Sequence, residues 1–123
     1  MRLVDLVLMI EKTYRVLPGR ENYAMAGLSM GGMQTFLTTL SNLDKFAYIG
    51  SFGGSAGGFG GLLDPKTSNS GVFADASAFN KKVKVIIPGI GSMAGTGTKN
   101  FSEQLTEARI KNVYFESPGT AHE

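Results

Sequence analysis

An α/β fold is predicted for this chain, with about four parallel strands and flanking helices arranged as three α/β/α layers. Three observations predict it. Apolar stretches of strand length alternate with stretches whose apolar residues recur at helical spacing. Strands separated by helices imply βαβ units with right-handed crossovers, hence a parallel sheet. A chain of 123 residues, 42% of them hydrophobic, is enough for one domain with a modest core.

The elements follow in order. Residues 3–17 are expected to be helical, because Leu3, Val7, Ile10 and Tyr14 share one face and Pro18-Gly19 supplies a stop. The opening MRLVDLVLMI has the apolar character of an export signal. Asp5 interrupts it, Glu11 and Lys12 follow, and no small-residue cleavage site is present, so it reads as an amphipathic helix. Residues 22–28 form the first strand. Residues 31–40 form a helix presenting Met33, Phe36, Leu37 and Leu40, and residues 46–51 a second strand. The glycine-rich stretch 50–61 and the polar loop through Asp64-Pro65 and Asn69-Ser70-Gly71 read either as a mobile wall of a substrate pocket or as a plain surface loop. A short helix over 72–80 precedes the β-branched strand 83–87, in which Lys84 faces solvent. Residues 101–108 form a helix with Phe101, Leu105 and Ala108 on one side. Residues 112–116 form the last strand and 117–123 a terminal loop.

Composition excludes several functions. A net charge of +2, with Lys and Arg scattered, gives no case for nucleic acid. No segment approaches the roughly 20 apolar residues of a membrane span. The absence of cysteine rules out disulfides, thiol catalysis and cysteine-built zinc sites. A single histidine speaks against a histidine-built metal centre, and no cofactor is called for.

The chemistry concentrates at Gly27-Leu28-Ser29-Met30-Gly31, a G-x-S-x-G that follows a small-residue strand and opens a helix. That context is a nucleophile elbow, in which the turn lifts a serine hydroxyl above the sheet; without chemistry it would be an ordinary tight βα turn. Ser29 is the candidate nucleophile, and the Met30 N–H, at the positive end of a helix, the candidate oxyanion donor. Gly27 and Gly31 are expected to let neighbouring backbone pass close to the turn. His122 is the only histidine and follows the last strand, where a base for Ser29 would stand; the plainer reading is a solvated residue near the terminus. The orienting acid should lie in the loop after the penultimate strand, yet residues 88–100 read PGIGSMAGTGTKN and hold no carboxylate. Asp64, Asp75 and Glu123 are weak candidates, none at the expected place.

A rival motif overlaps that loop. Gly89-Ile90-Gly91-Ser92-Met93-Ala94 matches G-x-G-x-x-A after a strand, and Glu116 could take a ribose hydroxyl in a dinucleotide site. Gly95 and Gly97 follow at once, where the fingerprint needs a helix under way.

The segments YRVLPGRENYAMAGLSMGGMQTF, LDKFAYIGSFGG and NVYFESPGTAHE resemble the bacterial feruloyl (cinnamoyl) and acetyl-xylan esterases of the putative-esterase, esterase D-like α/β-hydrolase family. The resemblance implies a serine carboxylesterase acting on small or aryl esters, with Ser29 as nucleophile, His122 as base and Met30 as the second oxyanion amide. It also implies a departure, since Ala94 stands where such proteins carry the acid. Residues 1–123 are then expected to be one partial, truncated α/β-hydrolase domain matching the family's C-terminal half, without the loop that gives the first oxyanion amide. Family members are often secreted or periplasmic. A bare elbow-strand edge would favour a homodimer, through that edge or through exchanged helices. The other expectations are a catalytically silent, self-associating fragment and, as a minor one, the dinucleotide-binding module.

Overall fold

The computed structural model describes residues 2–54 and 68–122, apart from the side chain of Asn69. Asp64, Glu123 and most of the glycine-rich stretch lie outside those residues. The elements run α1 (Leu3–Thr13), β1 (Ala24–Leu28), α2 (Met30–Leu40), β2 (Tyr48–Phe52), α3 (Ala76–Lys82), β3 (Val85–Gly91), α4 (Gly97–Glu107) and β4 (Phe115–Ser117), with 3₁₀ turns at Arg20–Asn22 and Ser68–Gly71.

The four strands are all parallel and lie in the order β1-β2-β3-β4. Crossovers of one hand that each step one strand in the same direction put their helices on the same face. The core reflects this. Phe36 and Leu40 of α2, Phe79 of α3, and Phe101 and Leu105 of α4 join Ile49 of β2 and Ile86 of β3 in one buried cluster. The Phe36 and Phe101 rings meet at 5.3 Å between centroids.

The opposite face is different. Paired residues on neighbouring strands share a face, which lines up Ala26, Gly50 and Ile87 in one row and Leu28, Phe52, Gly89 and Phe115 in the next. Ala24 and Ala26 are exposed, as are Leu28 (51%) and Phe115 (50%). The α/β class and parallel sheet are as expected, but the second helical layer is not formed by the described residues, which build two layers. The alternation of helix and strand could not reveal this, because it leaves the direction of each crossover step undetermined.

Several boundaries differ from expectation, each for a local reason. Helix α1 ends at Thr13, and Tyr14 is already extended; Pro18 also disfavours helix at Leu17. In α2 the buried face is Gly32, Thr35, Phe36, Thr39 and Leu40, while Leu37 is 56% exposed. Thr35 and Thr39 bury because each hydroxyl donates to the carbonyl four residues back, at 2.8 and 2.7 Å. Strand β3 continues through Pro88 to Gly91. Val113 donates to the Ile86 carbonyl, so even-numbered residues of β3 face β4. The donor that Pro88 lacks would serve the stretch before β4, which is not yet a strand.

Candidate active site

Ser29 caps the N-terminus of α2 with φ 58° and ψ −120°, a positive-φ conformation that costs a side-chain-bearing residue about 1–3 kcal/mol. Two hydrogen bonds hold it there. The Ser29 N–H donates to the Phe52 carbonyl at 2.7 Å, and the Ser29 carbonyl accepts from the Met33 N–H at 3.1 Å. Gly27 makes the turn possible, since a Cβ there would stand 2.2 Å from the Gly31 carbonyl oxygen. Gly31 supplies the approaching backbone, and a Cβ on Gly31 itself would meet open space. Met30 is the first residue of α2, so its N–H has no partner within the helix, and its side chain is 70% exposed.

His122 reaches this turn from the segment after β4, with Nε2 2.6 Å from Ser29 Oγ. That segment is fastened to the end of β3. The Ser92 N–H donates to the Ser117 carbonyl at 3.0 Å and the Met93 N–H to the Thr120 carbonyl at 2.9 Å, while the Gly119 N–H donates to Ser92 Oγ at 2.9 Å. A Cβ on Gly91 would lie 2.2 Å from the Ala121 carbonyl oxygen, so a glycine is required where the two segments cross.

This clasp replaces the rival dinucleotide reading. The G-x-G-x-x-A residues end β3 and grip the histidine segment, and α4 begins only at Gly97, so no helix N-terminus stands over Gly91. Glu116, its proposed ribose partner, accepts from the Tyr114 hydroxyl at 2.8 Å. Burial, with that hydrogen bond second, pushes the Tyr114 phenol up to about 12.

Of the three acid candidates, Asp64 and Glu123 lie outside the described residues. Asp75 caps α3, accepting from the Ala78 N–H at 3.0 Å. Among the described residues the ion pairs join Arg2 to Asp5 and Lys45 to Asp44, and none includes His122. No group of three or more metal-ligating side chains occurs among them, and no helix is long and apolar enough to cross a membrane.

A hollow of about 60 Å³ opens beside the imidazole, lined by Leu28, Phe52, Ile90, Phe115 and Thr120. A larger cleft of about 410 Å³ lies between α1 and the start of β1, against Leu6, Val7, Ile10, Met25 and Phe46. It sits at the wrong end of the sheet for chemistry at Ser29, since open α/β sheets bind ligands at the strands' carboxyl ends.

Residues 4–117 match the family model described as Putative esterase. The chain belongs to that family. It is 34% identical over 120 residues to an endo-1,4-beta-xylanase/feruloyl esterase of Xylanibacter ruminicola, an alignment covering 97% of this chain and 14% of that protein. Among solved structures it resembles a CE1 ferulic acid esterase of Anaeromyces mucronatus in complex with ferulic acid, with a TM-score of 0.75 at 23% identity. That match covers 98% of this chain and 46% of the other. An S-formylglutathione hydrolase of Staphylococcus aureus matches with a TM-score of 0.71 at 18% identity, over 98% of this chain and 52% of that one. The chain thus spans about half the length of these structures and a small part of the xylanase/feruloyl esterase, and the fold is that of esterase α/β-hydrolases.

Neither the backbone clasp from Gly91 to Met93 nor the glycine after β2 stands out in the sequence. Gly91 carried a signal, but it was absorbed by the dinucleotide motif. Gly53 was hidden among many neighbouring glycines.

Proposed function

We propose that this chain carries the nucleophile and base of a carboxylic ester hydrolase of the feruloyl or acetyl esterase type, working through an acyl-serine intermediate. The observation that carries the reading is the 2.6 Å approach of His122 Nε2 to Ser29 Oγ at a strained strand–helix turn. Ser29 Oγ attacks the ester carbonyl carbon while its proton passes to His122 Nε2. The carbonyl electron pair moves onto oxygen, and the Met30 N–H donates to that oxyanion with the positive end of α2 behind it. Collapse expels the alcohol, which takes the proton from Nε2 and leaves acyl-Ser29. Water then attacks the acyl carbon, gives its proton to Nε2, and Ser29 recovers that proton as the acid departs.

Small acyl groups are favoured at this site. The hollow beside His122, about 60 Å³, is less than half of the roughly 150 Å³ that holds benzene in an engineered cavity. Turnover is expected to be low, because an orienting carboxylate can be worth about 10⁴ in rate and none reaches His122 among the described residues. Hydrolysis of p-nitrophenyl acetate by wild type, Ser29→Ala and His122→Ala tests the assignment. Each substitution should lower kcat/KM by about 100-fold or more. Equal rates in all three would reject it.

A second reading, a self-associating module, is favoured by the outer edge of β1, which pairs with β2 on one side only. Two chains joined through these edges would satisfy the open backbone groups; exchange of helices is the other route to a dimer. Light scattering at micromolar concentration should then give twice the 13.1 kDa chain mass. A stable monomer rules the dimer out.

A further inference from the structure

We infer that Gly53 is a positioning residue for His122, setting the plane of the imidazole by backbone contact where a carboxylate would ordinarily hold it. The inference rests on the proposed Ser29–His122 chemistry. Gly53 follows β2 with φ +67° and is fixed by its N–H, which donates to the Gly89 carbonyl at 2.8 Å. The histidine ring lies directly against it. A Cβ built on Gly53 would stand 3.0 Å from His122 Cε1 and 3.1 Å from Nδ1, and 3.8 Å from the Ser29 N–H nitrogen. The backbone of Gly53 therefore borders the Cε1–Nδ1 edge of the imidazole, beside the Nε2 that meets Ser29 Oγ, while the Gly91 clasp limits travel of the segment that carries the ring. With one side of the ring against Gly53 and Nε2 on Ser29 Oγ, the ring has little room to turn. An added methyl group removes that seat and pushes the ring away from its hydrogen bond.

The test separates contact from backbone strain. Gly53→Ala and Gly95→Ala both place alanine at a positive φ, +67° and +103°, but a Cβ at Gly95 meets nothing within 4 Å and Gly95 lies outside the clasp. For p-nitrophenyl acetate, Gly53→Ala should lower kcat about 10- to 100-fold with KM little changed, since a misplacement of about 1 Å costs on that order. Gly95→Ala should leave kcat within about twofold, and in a His122→Ala background Gly53→Ala should cost nothing further, as expected for residues acting through one group. Equal losses from the two glycine variants, or the same loss in both backgrounds, would overturn the inference. A readout independent of turnover comes from the single histidine, whose ¹⁵N resonances are unambiguous. Ser29→Ala should shift the Nε2 signal in otherwise wild-type protein and in Gly95→Ala, but not in Gly53→Ala. An undiminished Ser29 effect in folded Gly53→Ala would sink the positioning role even if the chain hydrolyses no ester. Loss of the proposed esterase reading would register separately, as rates unchanged by His122→Ala.

Discussion

Gly27 and Gly31 frame the same serine, yet a methyl group at the two positions would meet opposite surroundings. At Gly27 the new Cβ would press within 2.2 Å of the Gly31 carbonyl oxygen and 2.4 Å of its carbon, both backbone atoms held by the first turn of α2. Relief requires the strand or the helix to move, and overpacking of this kind typically costs about 1–3 kcal/mol. At Gly31 the space is open and the residue already lies inside α2, where alanine is favoured over glycine by about 1 kcal/mol. Gly27→Ala should therefore lower the urea midpoint, and Gly31→Ala should leave it unchanged or raise it. A matching loss in both variants would mean that the turn depends on conformational freedom at Gly31 and not on room at Gly27. The G-x-S-x-G spacing marked the pair as equivalent; the packing distinguishes them.

The ends of several elements are fastened by one side chain. The Arg20 guanidinium donates to the carbonyls of Leu43 (2.9 Å) and Phe46 (3.0 Å) in the α2–β2 connection, and to the Lys82 carbonyl that ends α3. Among the described residues no ion pair includes Arg20, so its charge is directed to backbone acceptors near the amino ends of the strands. Hydrogen bonds to charged groups contribute about 1.5–3 kcal/mol. Arg20→Ala should cost about that much in chemical denaturation, whereas a change below about 0.5 kcal/mol, ordinary for a surface substitution, would place Arg20 outside the load path. Nothing in the residues 18–22 announced this role, because the acceptors lie far away along the chain. Legibility at this scale followed range. The elbow, α4 and the order of elements could be read because their signals are local: a turn motif, a helical stripe, a proline. The buried face of α2 departs from its apolar stripe at Thr35, Thr39 and Leu37, because hydroxyl-to-carbonyl bonds make threonine burial inexpensive and polarity alone does not show them. Strand β4 starts at Phe115, later than its apolar run suggests, because Val113 bonds the Ile86 carbonyl but Pro88 offers no N–H, and paired residues begin at Gly89 and Phe115. For the candidate site, motif and chain order single out Ser29 and His122, which the structure places 2.6 Å apart, while the clasp at Gly91 and the closeness of Gly53 to the imidazole depend on contacts between distant segments.

At the scale of the whole molecule, the helices gather on one sheet face and, among the described residues, nothing forms a helical layer over the row from Leu28 to Phe115 and no strand pairs with the outer edge of β1. The edge can be specified atom by atom. Tyr23 gives its carbonyl to Ala47 and Ser29 gives its N–H to Phe52, so odd-numbered residues of this strand face β2. In a parallel strand both backbone groups of a residue point the same way, which directs those of Ala24, Ala26 and Leu28 outward. Three residues of open ladder beside apolar side chains are a template for another strand. Ala26→Pro addresses this edge alone. The lost N–H points away from β2, a position where an edge strand accepts proline, so the intrachain sheet should persist. Sedimentation should find the variant monomeric with an unchanged far-ultraviolet dichroism spectrum, if two chains join through β1. A variant that remains dimeric would move the contact to exchanged helices, because proline at residue 26 blocks the central bond of any ladder built on this edge while leaving α1 untouched.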